Sequence, residues 1–101
     1  MSFKKFIEQA NDVMKFALEK IDLKDESYSL TEPAKEDFGD LSCNVSFLLT
    51  KKLQKSPKEI ASMLVEQCVH YLDTKEQKSR AYVASVIAHE SGYINLRETL
   101  T

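Results

Sequence analysis

The sequence predicts an α+β domain in which three main helices pack on one face of a small antiparallel sheet, in the order helix, strand, helix, helix, hairpin. Two segments repeat apolar residues at helical spacing, and the last part of the chain alternates as strands do. A chain of 101 residues, 43% of them hydrophobic, is long enough for one core and too short for two. We therefore expect residues 1–101 to form a single domain.

The first helix is predicted over residues 3–21, because apolar side chains recur there in steps of three and one, as they do on one face of a helix. A short strand is predicted next, at residues 27–31. In this strand Tyr28 and Leu30 share one side, and Pro33 ends the hydrogen-bond ladder.

The second helix is predicted over residues 41–53. Gly39 lets the preceding loop turn, and Asp40 can accept hydrogen bonds from the first free amides of the helix. Because the segment carries no charge before Lys51, we expect it to be buried on more than one side.

The third helix is marked by a capping box at its start. Ser56 is the predicted N-cap, Pro57 occupies the first helical position, and Glu59 reaches back to the cap. Apolar residues then recur every three or four positions, so the helix is expected to end near residues 71–73.

A closing hairpin is predicted from two strand-like runs, residues 82–88 and 93–96, around the turn sequence His-Glu-Ser-Gly. Gly92 is available for a positive φ in that turn. Simple alternation in the first run places Val83 and Ile87 on one face of the strand.

The second strand of the hairpin has an exposed row and a buried row. Residues two apart in a strand lie on one face, about 6.5 to 7 Å from each other. Tyr93, Asn95 and Arg97 therefore line up, while Ile94 and Leu96 face the helices. An aromatic ring and an amide in this arrangement can stack an unpaired RNA base and hydrogen-bond its edge. An ordinary solvated face explains the same pattern, and on the residues alone it is the favoured interpretation.

The net charge of −2 conceals a local basic run. Residues 41–58 contain four lysines and no acid, whereas residues 1–40 contain six lysines and ten acids. A solvated helix end explains such a run, since cations suit the negative end of the helix dipole. A patch that contacts phosphates is the alternative. The four residues are Lys51, Lys52, Lys55 and Lys58.

The residues offer no convergent catalytic set. Neither His70 nor His89 has a nucleophile or a carboxylate at a motif spacing, and two glycines are too few for a phosphate-binding loop. The acids at 36–40 fit a polar loop better than a metal site. Cys43 and Cys68 lack metal-ligand spacing and are expected in the core. We expect no catalytic residue, metal or cofactor in this chain.

No apolar run approaches the roughly 20 residues that cross a bilayer, and the charged N-terminal segment does not resemble a secretory leader. The expectation is a cytoplasmic domain with no membrane partner.

Residues 36–67, EDFGDLSCNVSFLLTKKLQKSPKEIASMLVEQ, together with GYIN at 92–95, resemble the N-terminal domain of arginyl-tRNA synthetases. The specific pieces are Phe38-Gly39-Asp40 with Asn44 one turn later, the Lys-Lys-Leu sequence, SPKEIA, and an aromatic-Ile-Asn in the closing strand. Their order and separations carry the match, which covers nearly the whole chain.

The resemblance implies an appendage of a class I arginine-tRNA ligase, which attaches arginine to tRNA using ATP. In that family the domain contacts the outer corner of the tRNA, where the D-loop lies, and reads an unpaired D-loop base with an aromatic and an amide. These two readers map onto Tyr93 and Asn95. The implied partners are arginine tRNA and the catalytic domain, not DNA, and ATP and magnesium belong to that catalytic domain outside this chain.

The resemblance also implies structural roles for four residues, and this chain departs from the family sequence at one position, the turn before the aromatic residue. Phe38, Gly39, Asp40 and Asn44 are interpreted as architecture, with Asn44 tying down the preceding loop by hydrogen bonds. The family commonly has Gly-Pro-Gly before the aromatic, whereas this chain has Glu90-Ser91-Gly92, so the shape of that turn does not follow from the resemblance.

Candidate contacts to the RNA backbone are the basic side chains of Arg97, Lys51, Lys52 and Lys55. The alternative function is a free-standing protein-interaction module of the same fold, which would use the face of the sheet and have no role in tRNA binding.

Overall fold

A computed structural model describes residues 3–33, 35, 38–79 and 81–99. The elements in chain order are α1 (Phe3–Lys20), β1 (Leu30–Thr31), β2 (Leu41–Cys43), α2 (Val45–Leu48), α3 (Thr50–Leu53), α4 (Pro57–Leu72), α5 (Lys75–Lys78), β3 (Val83–Ala88) and β4 (Ile94–Glu98). The α+β class is confirmed, with two long helices, α1 and α4, in place of three main ones.

The four strands form one antiparallel sheet in the order β1-β2-β4-β3. β4 is therefore a central strand, with β2 on one side and β3 on the other. Leu96 lies opposite Leu41 on β2 and opposite Val86 on β3. The last strand of the chain is thus fixed by hydrogen bonds along both edges.

The core lies between the two long helices and one face of the sheet. α1 and α4 pack against each other, and α4 also packs on β3. The side chains of Phe6, Leu64, Ile94 and Leu96 are fully buried there. The periodicity that predicted α1 and α4 is the periodicity of this buried stripe.

The start of α4 confirms the predicted capping box. Ser56 Oγ accepts a hydrogen bond from the Glu59 amide at 3.2 Å, and Glu59 Oε1 accepts one from the Ser56 amide at 3.3 Å. Pro57 occupies the first helical position. These bonds satisfy amides that the first turn of a helix leaves unpaired.

The predicted helix over residues 41–53 is wrong. Leu41–Cys43 form a strand between β1 and β4, and only two single helical turns, α2 and α3, follow. Burial on more than one side holds for Leu41, Cys43 and Val45, whereas Phe47 and Leu48 are exposed. The pairing of β2 with both neighbouring strands outweighs the helical spacing of its apolar residues.

The predicted face of β3 is also wrong. The register shifts between Val83 and Ser85, so the alternation changes phase within the strand. Val83 and Val86 are both buried, while Ile87 is 59% exposed on the opposite side of the sheet. One irregularity therefore places Ile87 on the face opposite Val83, although simple alternation put both on one face.

Both cysteines are free and buried, as expected for core residues. Burial raises the pKa of the Cys43 thiol to about 11 and that of Cys68 to about 12, so both are protonated at neutral pH. Within the described ranges, no helix has the length and hydropathy that crossing a membrane requires.

Candidate nucleic-acid interface

The outer row, defined as Tyr93 directly before β4 together with Asn95 and Arg97 on β4, lies on the face of the sheet that α1 and α4 do not cover. Tyr93 is 44% exposed and Asn95 is half-buried, whereas the intervening Ile94 and Leu96 are 0% exposed. The predicted alternation of this strand is confirmed. An aromatic ring and a carboxamide are therefore presented side by side to solvent.

A cavity of about 490 Å³, here called the sheet cavity, opens beside this row. Its lining includes Asn95 from β4, Tyr93 directly before β4, Ser42 from β2 and His89 from the hairpin turn. Phe38 closes another side, with its ring centroid 4.9 Å from that of His89. The cavity combines aromatic walls with hydrogen-bonding groups, a combination suited to a flat polar ring.

The turn before Tyr93 is closed by backbone hydrogen bonds. The Gly92 amide donates to His89 O at 2.9 Å, and the His89 amide donates to Tyr93 O at 2.8 Å. The Ser91 amide and hydroxyl both contact His89 Nδ1, at 3.1 and 2.8 Å. The histidine ring thus braces the turn at the position where the resemblance left its shape open. Glu90 is exposed.

The position of Tyr93 is set by contacts with the segment before α4. Gly92 has φ +111°, and a Cβ at this position would lie 2.4 Å from Pro57 Cβ. The Tyr93 ring packs edge-on against Phe47, with 4.9 Å between the centroids. The hairpin turn is therefore seated on α2 and on the start of α4, and Tyr93 remains 44% exposed.

The same contacts bring part of the lysine run to this end of the sheet. Lys55 and Lys58 flank Pro57 in sequence, and Lys51 follows Phe47 by one turn. All three are exposed and pair with no carboxylate in the described part of the chain. Lys52 differs, because its Nζ forms an ion pair with Glu26. Of the four lysines in the run, three therefore have no carboxylate partner among the described residues, and one forms an ion pair.

Asp40 does not cap a helix, contrary to the prediction. Its amide donates to Leu96 O at 2.8 Å, and its Oδ2 accepts from the Glu98 amide at 2.7 Å. The side chain thereby extends the ladder between β2 and β4. Gly39, with φ +93°, is required beside it because a Cβ would lie 2.8 Å from Leu96 O.

Asn44 ties down a neighbouring segment, as its structural interpretation predicts, but the partner is different. Its Oδ1 accepts from the Ser29 amide at 2.8 Å, so it holds the residue before β1 and not the loop that precedes β2. Phe38 lies both in the architectural motif and in the wall of the sheet cavity. Its assignment as purely structural is therefore incomplete.

Ser42 is a site residue that the sequence reasoning missed. It lies directly opposite Asn95 in the register of β2 and β4, and its hydroxyl donates to Asn95 Oδ1 at 2.7 Å. Residue 42 was assigned to a helix, where it would have no neighbour on the closing strand. Only the strand pairing reveals the contact.

Within the described ranges, no three His, Cys, Asp or Glu side chains converge as they would around a metal ion. The arrangement at the sheet cavity provides stacking surface, an amide, hydroxyls, an imidazole and the carboxylate of Glu32. These groups can bind and orient a planar ligand.

Comparisons with known proteins match nearly the whole chain. A family model described as the arginyl tRNA synthetase N terminal domain matches residues 3–97. The arginine–tRNA ligase of Prochlorococcus marinus is 32% identical over 100 residues, which cover 94% of this chain and 16% of the relative. That of Carboxydothermus hydrogenoformans is 37% identical over 76 residues, which cover 74% of this chain and 12% of the relative.

A solved structure has the same fold. The arginyl-tRNA synthetase of Thermus thermophilus superposes with a TM-score of 0.69 at 23% identity, over 91% of this chain and 14% of that one. The chain therefore spans only about an eighth to a sixth of the length of these relatives, from 12% to 16%. By the match over residues 3–97, this chain belongs to the arginyl-tRNA synthetase N-terminal domain family.

Proposed function

We propose that this chain is the tRNA-binding domain of an arginine-tRNA ligase and recognises an unpaired base in the D-loop of arginine tRNA. The observation that carries the proposal is the outer row at the sheet cavity: a half-exposed tyrosine ring beside a carboxamide, on a rigid central strand. Sequence-specific recognition of RNA usually takes splayed bases from loops in this way.

The tyrosine supplies a stacking surface. Because Phe47 contacts the Tyr93 ring edge-on, the ring is held in place before any ligand binds. A stacked base contributes roughly 1 to 3 kcal/mol to binding, and less of that is lost to ordering when the ring is already fixed. Phe38 and His89, across the sheet cavity, provide further ring surface for the same base.

The three lysines that pair with no carboxylate of the described residues can contact phosphates of the RNA backbone. Lys51, Lys55 and Lys58 belong to the segment that carries Phe47 and Pro57, on which the hairpin turn rests. Arg97 lies at the other end of the outer row. Cations on both sides of a base-reading pair position the RNA backbone, while the pair itself specifies the base.

In this proposal the catalytic steps belong to the rest of the parent enzyme. The relatives are six to eight times longer than the part matched here, so most of each relative lies outside the match. ATP and magnesium would be bound by the missing catalytic domain, which would also be the partner of this domain within one chain.

The test is binding of this chain to an arginine tRNA, followed by NMR titration so that weak affinity can be measured. Tyr93→Ala is expected to raise Kd by roughly fivefold to 150-fold, the equivalent of one stacked base. Asn95→Ala is also expected to weaken binding. Tyr93→Phe is the conservative variant and should bind nearly as well as the wild type, because it keeps the ring.

Val69→Ala is the matched control, since it truncates an exposed apolar side chain on α4. Both control and site variants should keep the thermal stability of the wild type within a few degrees. If Tyr93→Ala and Asn95→Ala bind arginine tRNA as tightly as Val69→Ala, the proposed site is incorrect.

One observation favours the alternative, a protein-interaction surface: Ile87, 59% exposed, lies beside Asn95 on the same face. Ile87→Lys separates the two functions. A protein interface would lose affinity when an apolar contact is replaced by a charge, whereas an RNA site should keep or increase its affinity, because the new cation attracts phosphate.

A further inference from the structure

We infer that Ser42 is a positioning residue for base recognition: its hydroxyl orients the Asn95 carboxamide so that the amide presents its Nδ2 donors to the base. This inference rests on the proposed function, because it concerns how the same site distinguishes one base from another. Ser42 provides neither an aromatic ring for stacking nor a cation for phosphate contact, so its proposed role is separate from both.

The orientation follows from the hydrogen bond that the Asn95 side chain accepts from β2. Ser42 Oγ donates to Asn95 Oδ1 at 2.7 Å, a short distance for a hydroxyl donor. A hydroxyl carries one hydrogen, so this bond uses the whole donor capacity of the serine. Because Oδ1 and Nδ2 branch from the same carbon, holding Oδ1 toward β2 turns Nδ2 away from it.

The opposite neighbour does not compete for the amide. Asn95 lies across from Ile87 on β3, and an isoleucine offers neither a donor nor an acceptor. Asn95 Nδ2 makes no hydrogen bond within the described part of the chain, and it is not among the polar atoms sealed from solvent. Two donor hydrogens are therefore available on the outer face of the sheet.

Ser42 is held more firmly than the residue that it orients. It is 6% exposed, and it is paired in the ladder with Thr31 on one side and Asn95 on the other. A buried, strand-fixed donor keeps one geometry at little entropic cost, whereas an isolated asparagine would rotate between two amide orientations.

The consequence concerns specificity. With Oδ1 already engaged, Asn95 acts mainly as a donor, so the site favours a base whose exposed edge offers acceptors, either a carbonyl oxygen or a ring nitrogen. Stacking on Tyr93 accepts any base, because every base has a π face. Base preference should therefore depend on Ser42, and overall affinity should depend mainly on Tyr93.

The experiment uses four arginine-tRNA transcripts that differ only in the unpaired D-loop base. For each protein variant the selectivity is the ratio of the strongest to the weakest binding constant. Ser42→Ala is expected to lower this ratio roughly three- to tenfold, the value of one hydrogen bond, while binding to the disfavoured transcripts stays nearly constant. Ser42→Thr keeps the hydroxyl and should restore the ratio.

Ser85→Ala is the matched control, because it removes a hydroxyl from the neighbouring strand at a position opposite Arg97 and not opposite Asn95. Its ratio should equal that of the wild type. A second readout needs no RNA: dipolar couplings of the Asn95 Nδ2 group should show one fixed orientation in the wild type and in Ser42→Thr, and averaging in Ser42→Ala.

The possible failures are distinct. If Asn95→Ala leaves the selectivity unchanged, base reading by this site is incorrect and the role of Ser42 is lost with it. If Asn95→Ala abolishes the selectivity but Ser42→Ala does not change it, the proposed function stands and the inference about Ser42 is overturned. Unchanged dipolar couplings in Ser42→Ala would overturn it as well.

Discussion

The two faces of β4 differ in what determines them. The inner residues Ile94 and Leu96 are fully buried between the sheet and the helices, whereas Tyr93 and Asn95 face the sheet cavity. Both sets occupy one strand with one backbone. The inner face is fixed by the free energy of removing apolar surface from water, and the outer face is left free to carry binding groups.

Keeping the side chains that stabilise the fold on one face, and those proposed to bind RNA on the other, has a functional advantage. A strand that is paired on both edges and packed on one face cannot rotate, so its outer side chains keep their spacing. Under the proposed function, a base-reading pair held in this way is pre-organised, and binding then costs less conformational entropy. Stability and recognition should therefore respond to different substitutions in the same five residues.

The largest expected difference between the faces is in the free energy of unfolding. Leu96→Ala should lower it by roughly 2 to 5 kcal/mol, because the change leaves a cavity in the core. Ile87→Ala, at an exposed position of the neighbouring strand, should change it by less than about 0.5 kcal/mol. Urea denaturation of the two variants measures both values, and equal losses would contradict the division into an inner and an outer face.

The parts predicted from the sequence were those governed by a repeating pattern. The spacing in α1 and α4 and the alternation in the closing strand each predicted which side chains are buried, and the structure agrees except at Phe3 and Val69, which lie on the predicted stripes but are exposed. The outer row of Tyr93, Asn95 and Arg97 followed from that alternation alone.

The parts that were missed depend on contacts between distant segments. Leu41–Cys43 is too short for periodicity to identify, and it is a strand because β1 and β4 lie on either side of it. That error hid Ser42 from the site and misplaced Asp40 as a helix cap. The register shift in β3, which exposes Ile87, likewise has no signal in the order of residues around it.

A buried polar network gives a second example. Gln9 lies on the apolar stripe of α1, yet its Oε1 accepts from the amides of Tyr82 and Val83, each at 2.8 Å. Its Nε2 donates to Gln77 Oε1 at 2.9 Å. The glutamine thereby accepts hydrogen bonds from the backbone amides at the start of β3. Only the tertiary structure shows that a polar residue is needed at this core position.

Substituting either of the two glycines that contact β4 or the hairpin turn should cause a smaller loss of stability than Leu96→Ala. Gly92→Ala introduces a side chain at φ +111° against Pro57, and Gly39→Ala introduces one at φ +93° against Leu96 O. Each should cost roughly 1 to 3 kcal/mol of stability, from backbone strain and the close contact. Thermal unfolding measures that cost.

The two variants should differ in RNA binding. Gly92 precedes Tyr93 directly, so moving the turn away from Pro57 also moves the stacking ring, and affinity for arginine tRNA should fall under conditions where the variant is fully folded. Gly39 lies at the far end of the strand, and Gly39→Ala should bind more tightly than Gly92→Ala. Equal affinities would mean that the turn does not set the position of Tyr93.

The smallest predicted effect is on RNA affinity after substitution of a single lysine. It distinguishes lysines that attract the RNA backbone from residues that read the base. Lys55 and Lys52 lie in one basic run, but Lys52 is engaged by Glu26 and Lys55 pairs with no carboxylate of the described residues. Hydrogen bonds from Ser56 lower the pKa of the Glu59 carboxyl, and Lys55 adds to the lowering, so the field of Lys55 acts at the start of α4, beside the hairpin turn.

Lys55→Ala should therefore weaken binding equally for all four D-loop transcripts and reduce the slope of log K against log salt by about 1, as the loss of one phosphate contact does. Lys52→Ala removes the same charge from the whole chain and serves as the control, with a smaller change in slope because its cation is already compensated. Equal slopes for the two variants would show that only overall charge matters. A loss confined to one transcript would place Lys55 among the base-reading groups, beside Tyr93 and Asn95.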